Sequence, residues 1–244
     1  MTQRDNHIAL EKISFSYPAG KKVLNDLDLS LKKGERIGLI GPNGSGKTTL
    51  FRLIMGLLKP DKGRLIIFGK EMTDKKSFFP VRQRIGLLFQ DPDDQLFSPT
   101  VLDDVAFGPL NQGKDIQEAK EISRGVLSDL GISGFEERIT YKLSGGEKKL
   151  VSLATVLAMK PEVLLLDEPT AGIDTDTTRK IIHVLESIDV SAIIISHDID
   201  FIKHTTRVIY GMTGGRIAKE AGEIAHSHVH AHGHGEVPHT HSDI

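Results

Sequence analysis

Eight residues constrain this chain more than any other stretch: Gly41-Pro42-Asn43-Gly44-Ser45-Gly46-Lys47-Thr48. They fit the P-loop spacing G-x-x-x-x-G-K-[ST]. The short apolar run 37–40 precedes them as a strand. Residues 48–58 follow as a helix, closed by Lys59-Pro60-Asp61-Lys62-Gly63. In that setting the glycines let successive backbone N–H groups turn inward around phosphate oxygens, and the helix N-terminus adds partial positive charge at the same point. Lys47 then reaches the β- and γ-phosphates, the Thr48 hydroxyl faces Mg²⁺, and Thr49 continues the binding segment. Taken without its context, the stretch also reads as a glycine turn with an incidental lysine.

A second signal is Val163-Leu164-Leu165-Leu166-Asp167-Glu168. A buried apolar strand ends in two acids at the sheet edge where α/β proteins bind ligands. Asp167 can hold magnesium through water, and Glu168 can polarise an attacking water as general base. Two acids after a strand can also be no more than a helix cap. A third signal is Leu143-Ser144-Gly145-Gly146-Glu147. Read locally, Ser144 opens a helix whose glycines leave N–H groups free to meet an anion, which is also what an ordinary N-cap does.

Composition narrows the class. The 244 residues suit one large domain or a core with a subdomain. Lys and Arg number 31 against 33 Asp and Glu, a formal charge of -2, so no basic nucleic-acid surface and no nucleic-acid partner is expected. With no cysteine, disulfide scaffolds, Cys-ligated metals and thiol nucleophiles are excluded. No apolar signal region follows Met1, and the longest apolar runs fall far short of the ~18 residues of a membrane helix. The expectation is a chain that spans no bilayer and resides in the cytoplasm.

Around the motifs, Ile13, Phe15 and Tyr17 alternate, as do Leu27, Leu29 and Leu31, with a turn at residues 18–22. Residues 65–68 and 85–89 read as further strands. Residues 91–143 read as helical, notably 115–130. Thereafter helices (145–159, 175–188) alternate with continuous apolar strands (163–166, 192–195), and 208–210 and 216–219 close the pattern as a strand pair. Apolar strands alternating with helices indicate a parallel sheet covered on both faces. From residue 226 the periodicity vanishes, and His226, His228, His230, His232, His234, His239 and His241 mark a biased, disordered tail.

The series is P-loop, Gln90 at a strand end, Leu-Ser-Gly-Gly-Glu, the Asp167-Glu168 strand, and His197 after another buried strand. It resembles the nucleotide-binding ATPase subunit of ABC (ATP-binding cassette) transporters over residues 8–219. The resemblance implies an α/β fold: a P-loop NTPase core with a mainly parallel sheet, an N-terminal antiparallel β subdomain and a helical signature-motif subdomain. Residues 1–225 would be the ATPase domain, with the helical part at about 91–143, and 226–244 the tail. By the same resemblance Tyr17 stacks on adenine. Gln90 touches magnesium and water and relays to a membrane partner. Ser144, Gly145, Gly146 and Glu147 complete the ATP site of a second subunit. Asp174 lies at the dimer seam, and His197 contacts the γ-phosphate. Glu147 departs from the commoner glutamine. Glu168, Lys47 and His197 are the expected catalytic set. Two Mg-ATP would join two chains, in a homodimer, and hydrolysis would release them.

Residues 90–97 (Gln-Asp-Pro-Asp-Asp-Gln-Leu-Phe) and 101–109 (Val-Leu-Asp-Asp-Val-Ala-Phe-Gly-Pro) are most similar to the ATPases of energy-coupling-factor (ECF) importers, including the cobalt and nickel type. That branch implies a transmembrane coupling protein, a substrate-binding membrane subunit, and a peripheral position on the cytoplasmic face of the membrane. Alternating histidines project to one side of an extended chain, and neutral imidazole suits nickel, cobalt, zinc and copper. The expected cargo is nickel or cobalt. The alternatives are a vitamin importer whose tail only buffers metal, a solvated tail without a metal role, and a soluble non-transport ABC protein.

Overall fold

The computed structural model describes residues 6–18 and 20–218. The seven tail histidines, Lys219 of the expected last strand and the 225/226 boundary lie outside the described residues.

Two sheets carry the fold. The first is antiparallel: β1 (Asn6–Ser16), β2 (Lys22–Lys32), β4 (Lys62–Ile67) and β5 (Lys70–Glu71), in the order β2-β1-β4-β5. The second has six strands in the order β10-β9-β3-β8-β7-β6: β3 (Arg36–Ile40), β6 (Ile85–Leu88), β7 (Val163–Asp167), β8 (Ser191–Ile195), β9 (Val208–Thr213) and β10 (Arg216–Ala218). All its pairings are parallel except the closing β9–β10 hairpin. The expected α/β class, with a mainly parallel sheet beside an N-terminal antiparallel one, is what the chain adopts.

Alternation along the central strands explains the layering. Every residue of β7 and β8 is buried. Val163, Leu165, Ile193 and Ile195 face a core shared with the antiparallel sheet and α1 (Lys47–Ile54), whose Leu50, Phe51, Leu53 and Ile54 fill the space between the sheets. Leu164, Leu166, Ala192 and Ile194 face the opposite core, under α5 (Gly145–Leu157), α6 (Thr175–Ser187) and α7 (Ile199–Thr205). A strand covered on both faces has no polar side to show, which is why these runs are continuously apolar.

Within residues 91–143 the chain forms a short 3₁₀ turn (Pro92–Asp94), α3 (Val101–Asn111), α4 (Ile116–Asp129) and a second 3₁₀ turn (Thr140–Lys142). A short helix, α2 (Phe79–Arg82), precedes β6. Leu127, Leu130 and Ile132 join Leu150 and Leu153 of α5 in the second core, which ties these helices to the parallel sheet.

Two helix ends and one whole helix stand out against expectation. α1 stops at Ile54, not Leu58. Gly56, at φ 65°, reverses the chain while its N–H donates to Leu53 O and the Leu57 N–H to Arg52 O, a Schellman closure. α5 ends at Leu157. α7 was not expected. Its Asp198 side chain accepts from Phe201 N, while Phe201, Ile202 and Thr205 face inward.

Candidate nucleotide site

The loop from Gly41 to Gly46 joins β3 to α1. Gly46 caps the helix at φ 109°, and a β-carbon there would stand 2.7 Å from Leu24 Cδ2 and 3.0 Å from Met212 Cε. Only glycine fits both the backbone angle and the neighbours. α1 receives no side-chain cap and has no acid in its first turn. Its leading N–H groups are therefore open to an anion. Lys47 is buried, and its Nζ donates to Gly41 O (2.7 Å) and Pro42 O (3.1 Å), which folds the ammonium over the loop. Burial pulls its pKa down, and the charges of Glu168 and Asp167 push it back up.

The two acids close the other side. Thr48 Oγ1 donates to Asp167 Oδ2 at 2.8 Å. Asp167 and Glu168 are 4% and 8% exposed, and burial raises both pKa values. Thr48, Lys47 and Lys149 counter that rise at Asp167. Glu168 has φ 50°, a left-handed conformation that a residue with a Cβ rarely holds. Its N–H donates to Ile195 O, which anchors the turn on β8. One carboxylate oxygen, Oε2, accepts from His197 N at 3.2 Å. The other, Oε1, is buried without a hydrogen-bond partner among the described residues and lies 3.4 Å from His197 Nε2. The same Nε2 stands 3.2 Å from Asn43 Oδ1. His197 thus links the base position to the phosphate loop, and the Glu168 side chain lies in the wall of the site with one acceptor left over.

These groups line one open cleft of about 1170 Å³. Asn43 to Thr49, Gln90, Asp167, Glu168 and His197 lie in its wall, and Tyr17 stands at its rim. The Tyr17 hydroxyl is 3.3 Å from Thr49 Oγ1, and Phe15 packs edge-on against its ring. Gly41 and Pro42 form the back of the loop, under Lys47. No group of three or more His, Cys, Asp or Glu able to hold a metal occurs among the described residues. The hydroxyl of Thr48 and the carboxylate of Asp167 are hard oxygen donors. That small set fits Mg²⁺, which keeps most of its ligands as water and substrate phosphate.

The remaining expected site residues lie elsewhere. Ser144, Gly145, Gly146, Glu147 and Asp174 are absent from the cleft wall. They form a second cluster at the amino end of α5. A β-carbon on Gly146 would lie 3.5 Å from Thr177 Oγ1 and 3.7 Å from Asp174 Oδ2. Asp174 caps α6 through Thr177 N and Oγ1, which lowers its pKa. Ser144 and Glu147 make a reciprocal capping box.

One buried group escaped the sequence reading. Lys149 is 2% exposed, and its Nζ donates to the Gln90 carbonyl at 2.6 Å. Burial lowers its pKa, against the charges of Asp91, Asp167 and Glu168. Next to it, Lys148 pairs with Asp93 at 2.6 Å, and Gln95 Nε2 donates to Ser152 O and Thr155 Oγ1. The segment after β6 is thereby stapled to the signature helix. Helical spacing carried the signal: Ser152, Leu153 and Val156, three, four and seven positions after Lys149, are all buried.

A profile of the ABC transporter family matches residues 24–171. The ECF transporter ATP-binding protein EcfA of Methanothermobacter thermautotrophicus is 43% identical over 217 residues, covering 87% of this chain and 70% of that protein. EcfA of Methanocaldococcus jannaschii is 45% identical over 217 residues, covering 87% and 78%. Among solved structures, CbiO1 of Clostridium perfringens, described as part of the transporter complex CbiONQ, superposes with a TM-score of 0.78 at 36% identity over 88% of this chain and 87% of that one. The MJ0796 cassette dimer, in a post-hydrolysis state with ADP and phosphate, gives 0.79 at 26% identity over 87% and 97%. The chain belongs to the ABC transporter family, as an ATP-binding ATPase subunit of the energy-coupling-factor type.

Proposed function

We propose that two copies of this chain close around two Mg-ATP and that hydrolysis drives uptake of nickel or cobalt through membrane partners. The observation that carries the composite site is the separation of its parts. The phosphate loop, the acids and His197 share one cleft, while the signature residues and Asp174 cluster at the exposed end of another helix. A second copy brings its signature end over the first copy's cleft.

Within that site the N–H groups of residues 43–49 and the Lys47 side chain bind the β- and γ-phosphates, and Tyr17 stacks on the base. Thr48, Asp167 and Gln90 hold Mg²⁺, which when bound neutralises charge on the phosphates. The Glu168 carboxylate takes a proton from water as the water oxygen bonds to the γ-phosphorus and the bond to the leaving ADP oxygen breaks. His197, fixed on Glu168 and Asn43, orients the γ-phosphate. Ser144 and the N–H groups of Gly145, Gly146 and Glu147 from the second copy meet the same phosphate. Cleavage removes the group both copies hold, and the pair opens.

Residues 1–225 form the ATPase unit, and residues 91–143 pass the motion on. Support for a docking surface there is a paired aromatic face. Phe97 and Phe107 are 68% and 48% exposed and meet edge-on at 4.9 Å. Asp104 holds the approach to α3 by accepting from Phe97 N and Ser98 N. No helix among the described residues is long and apolar enough to cross a membrane, so this surface would take a helix of a membrane partner on the cytoplasmic face. The ECF-type motifs and the tail histidines together favour a transition-metal cargo. The test is labelled nickel and cobalt uptake in native cells carrying Lys47→Ala at the chromosomal locus. Loss of uptake of either metal supports the reading and names the cargo. Retained uptake of both, with failure for another nutrient, leaves the ATPase and removes the metal.

A further inference from the structure

Glu147 sets up an electrostatic conflict. It is the third residue of α5, at the helix end that the reading above presents to a second copy's ATP. A carboxylate there stabilises an isolated helix, because its charge answers the helix dipole. It also competes with an incoming phosphate for the same partial positive charge and the same N–H groups. A glutamine would close the capping box without a charge.

Arg138 resolves the conflict. Its Nη1 donates to Glu147 Oε1 at 2.7 Å and its Nη2 to Oε2 at 3.3 Å, a two-pronged contact. Oε2 also accepts from Ser144 N at 2.8 Å. The guanidinium lies 4.1 Å over the Phe135 ring. The backbone beneath it is fixed independently: Val101 N donates to Arg138 O, Leu102 N to Glu136 O, and Thr140 Oγ1 to Ser98 O. The arginine is thus held before any partner arrives. Neither Arg138 nor Phe135 belongs to the signature motif.

The geometry points to Arg138 as a positioning residue: it holds and neutralises the Glu147 carboxylate so that the amino end of α5 can receive the terminal phosphate of ATP bound to a second copy. The inference rests on the two-copy site proposed above. It makes Arg138 and Glu147 a functional unit, in which the arginine is required only while position 147 carries a charge.

The experiment uses the full chain with Glu168→Gln, chosen so that ATP-bound pairs persist, and follows ATP-driven dimerisation by sedimentation. Arg138→Met should raise the ATP concentration at the midpoint roughly 10-fold, because a second copy would desolvate an uncompensated carboxylate. Adding Glu147→Gln to Arg138→Met should return the midpoint to within about two-fold of the parent, since a neutral side chain leaves no charge to answer. In the chain with Glu168 intact, Arg138→Met should raise KM for ATP more than it lowers kcat. An unchanged midpoint in Arg138→Met would overturn the proposal. So would a double variant as weak as Arg138→Met, which would make the arginine merely structural. Ser144→Arg separates the two levels. If that bulky replacement leaves dimerisation intact, the two-copy reading fails. If it abolishes dimerisation while Arg138→Met has no effect, only the role of Arg138 fails.

Discussion

Two helix N-termini in this molecule are suited to anions, and they are built in opposite ways. α1 begins after left-handed Gly46 and has no side-chain cap, so its N–H groups are free for phosphate. α5 begins at Ser144, whose hydroxyl accepts from Glu147 N, while the Glu147 carboxylate accepts from Ser144 N and is clamped by Arg138. The first end receives no side-chain cap, whereas at the second the Glu147 N–H is already taken by the chain's own cap. An open end can bind phosphate alone; a closed one needs a partner's ligand to compete with its own cap. On the two-copy reading proposed above, the contrast would let one chain hold nucleotide by itself while its signature end engages only when a second copy is bound.

The largest test of the open end is Glu168→Gln. Hydrolysis should fall by about 10²- to 10⁴-fold, the usual contribution of a positioned base, while ATP still drives pairing. Turnover near the parent rate in a phosphate-release assay would remove Glu168 from the base role. Next comes the comparison of Lys47→Ala with Ser144→Ala. The first should lower nucleotide affinity of the isolated chain and lower hydrolysis about 10²- to 10³-fold. The second should leave that affinity unchanged by calorimetry, lower hydrolysis in the pair, and cost about 1 kcal/mol of stability through the lost cap. Equal losses of monomer affinity would erase the distinction between the two ends.

Lys149→Met sits between them. It removes the bond from α5 to the Gln90 carbonyl and replaces a buried ammonium with a shape-matched apolar chain. Stability should fall by about 1–3 kcal/mol, and ATP-driven pairing should weaken with it. Full retention of both in denaturant and sedimentation measurements would show that the staple carries nothing.

The smallest effect is a pH dependence at the closed end. Arg138 and the Ser144 N–H hold the Glu147 pKa at about 2, below its ordinary 4.5. A depressed carboxylate stabilises the fold above its unfolded pKa, and that contribution is lost as pH falls toward the folded value. Between about pH 4.5 and 2 the parent should therefore lose stability more steeply than Glu147→Gln. Parallel acid melts would contradict it.

Much of this was legible in the residues because the signals are local. The P-loop, the acids ending β7 and the Ser-Gly-Gly-Glu cap each declare their geometry within a few positions, and the apolar runs of β7 and β8 declare burial on both faces. What stayed hidden depends on distance in sequence or on competition between signals. Lys149 follows Lys148 in a charged pair, which gives no local sign of burial, although its helical phase matches buried neighbours. Arg138 meets Glu147 across a loop whose path no local pattern fixes. α1 read too long because its apolar residues continue past Gly56 to Leu58. The separation of the expected site residues into two clusters was implied only by the family resemblance; no local pattern shows it, and the fold does.

The central claim is that each active site takes its phosphate loop from one chain and its signature end from another. The most direct measurement mixes two impaired variants, Lys47→Ala and Ser144→Ala, and follows single-turnover ATP hydrolysis. If sites are shared between chains, each mixed pair contains one fully intact site. Random pairing then restores about a quarter of the parent's sites, by the two-fold symmetry of the pair. A mixture as inactive as its separate components would contradict the account and return the whole site to a single chain.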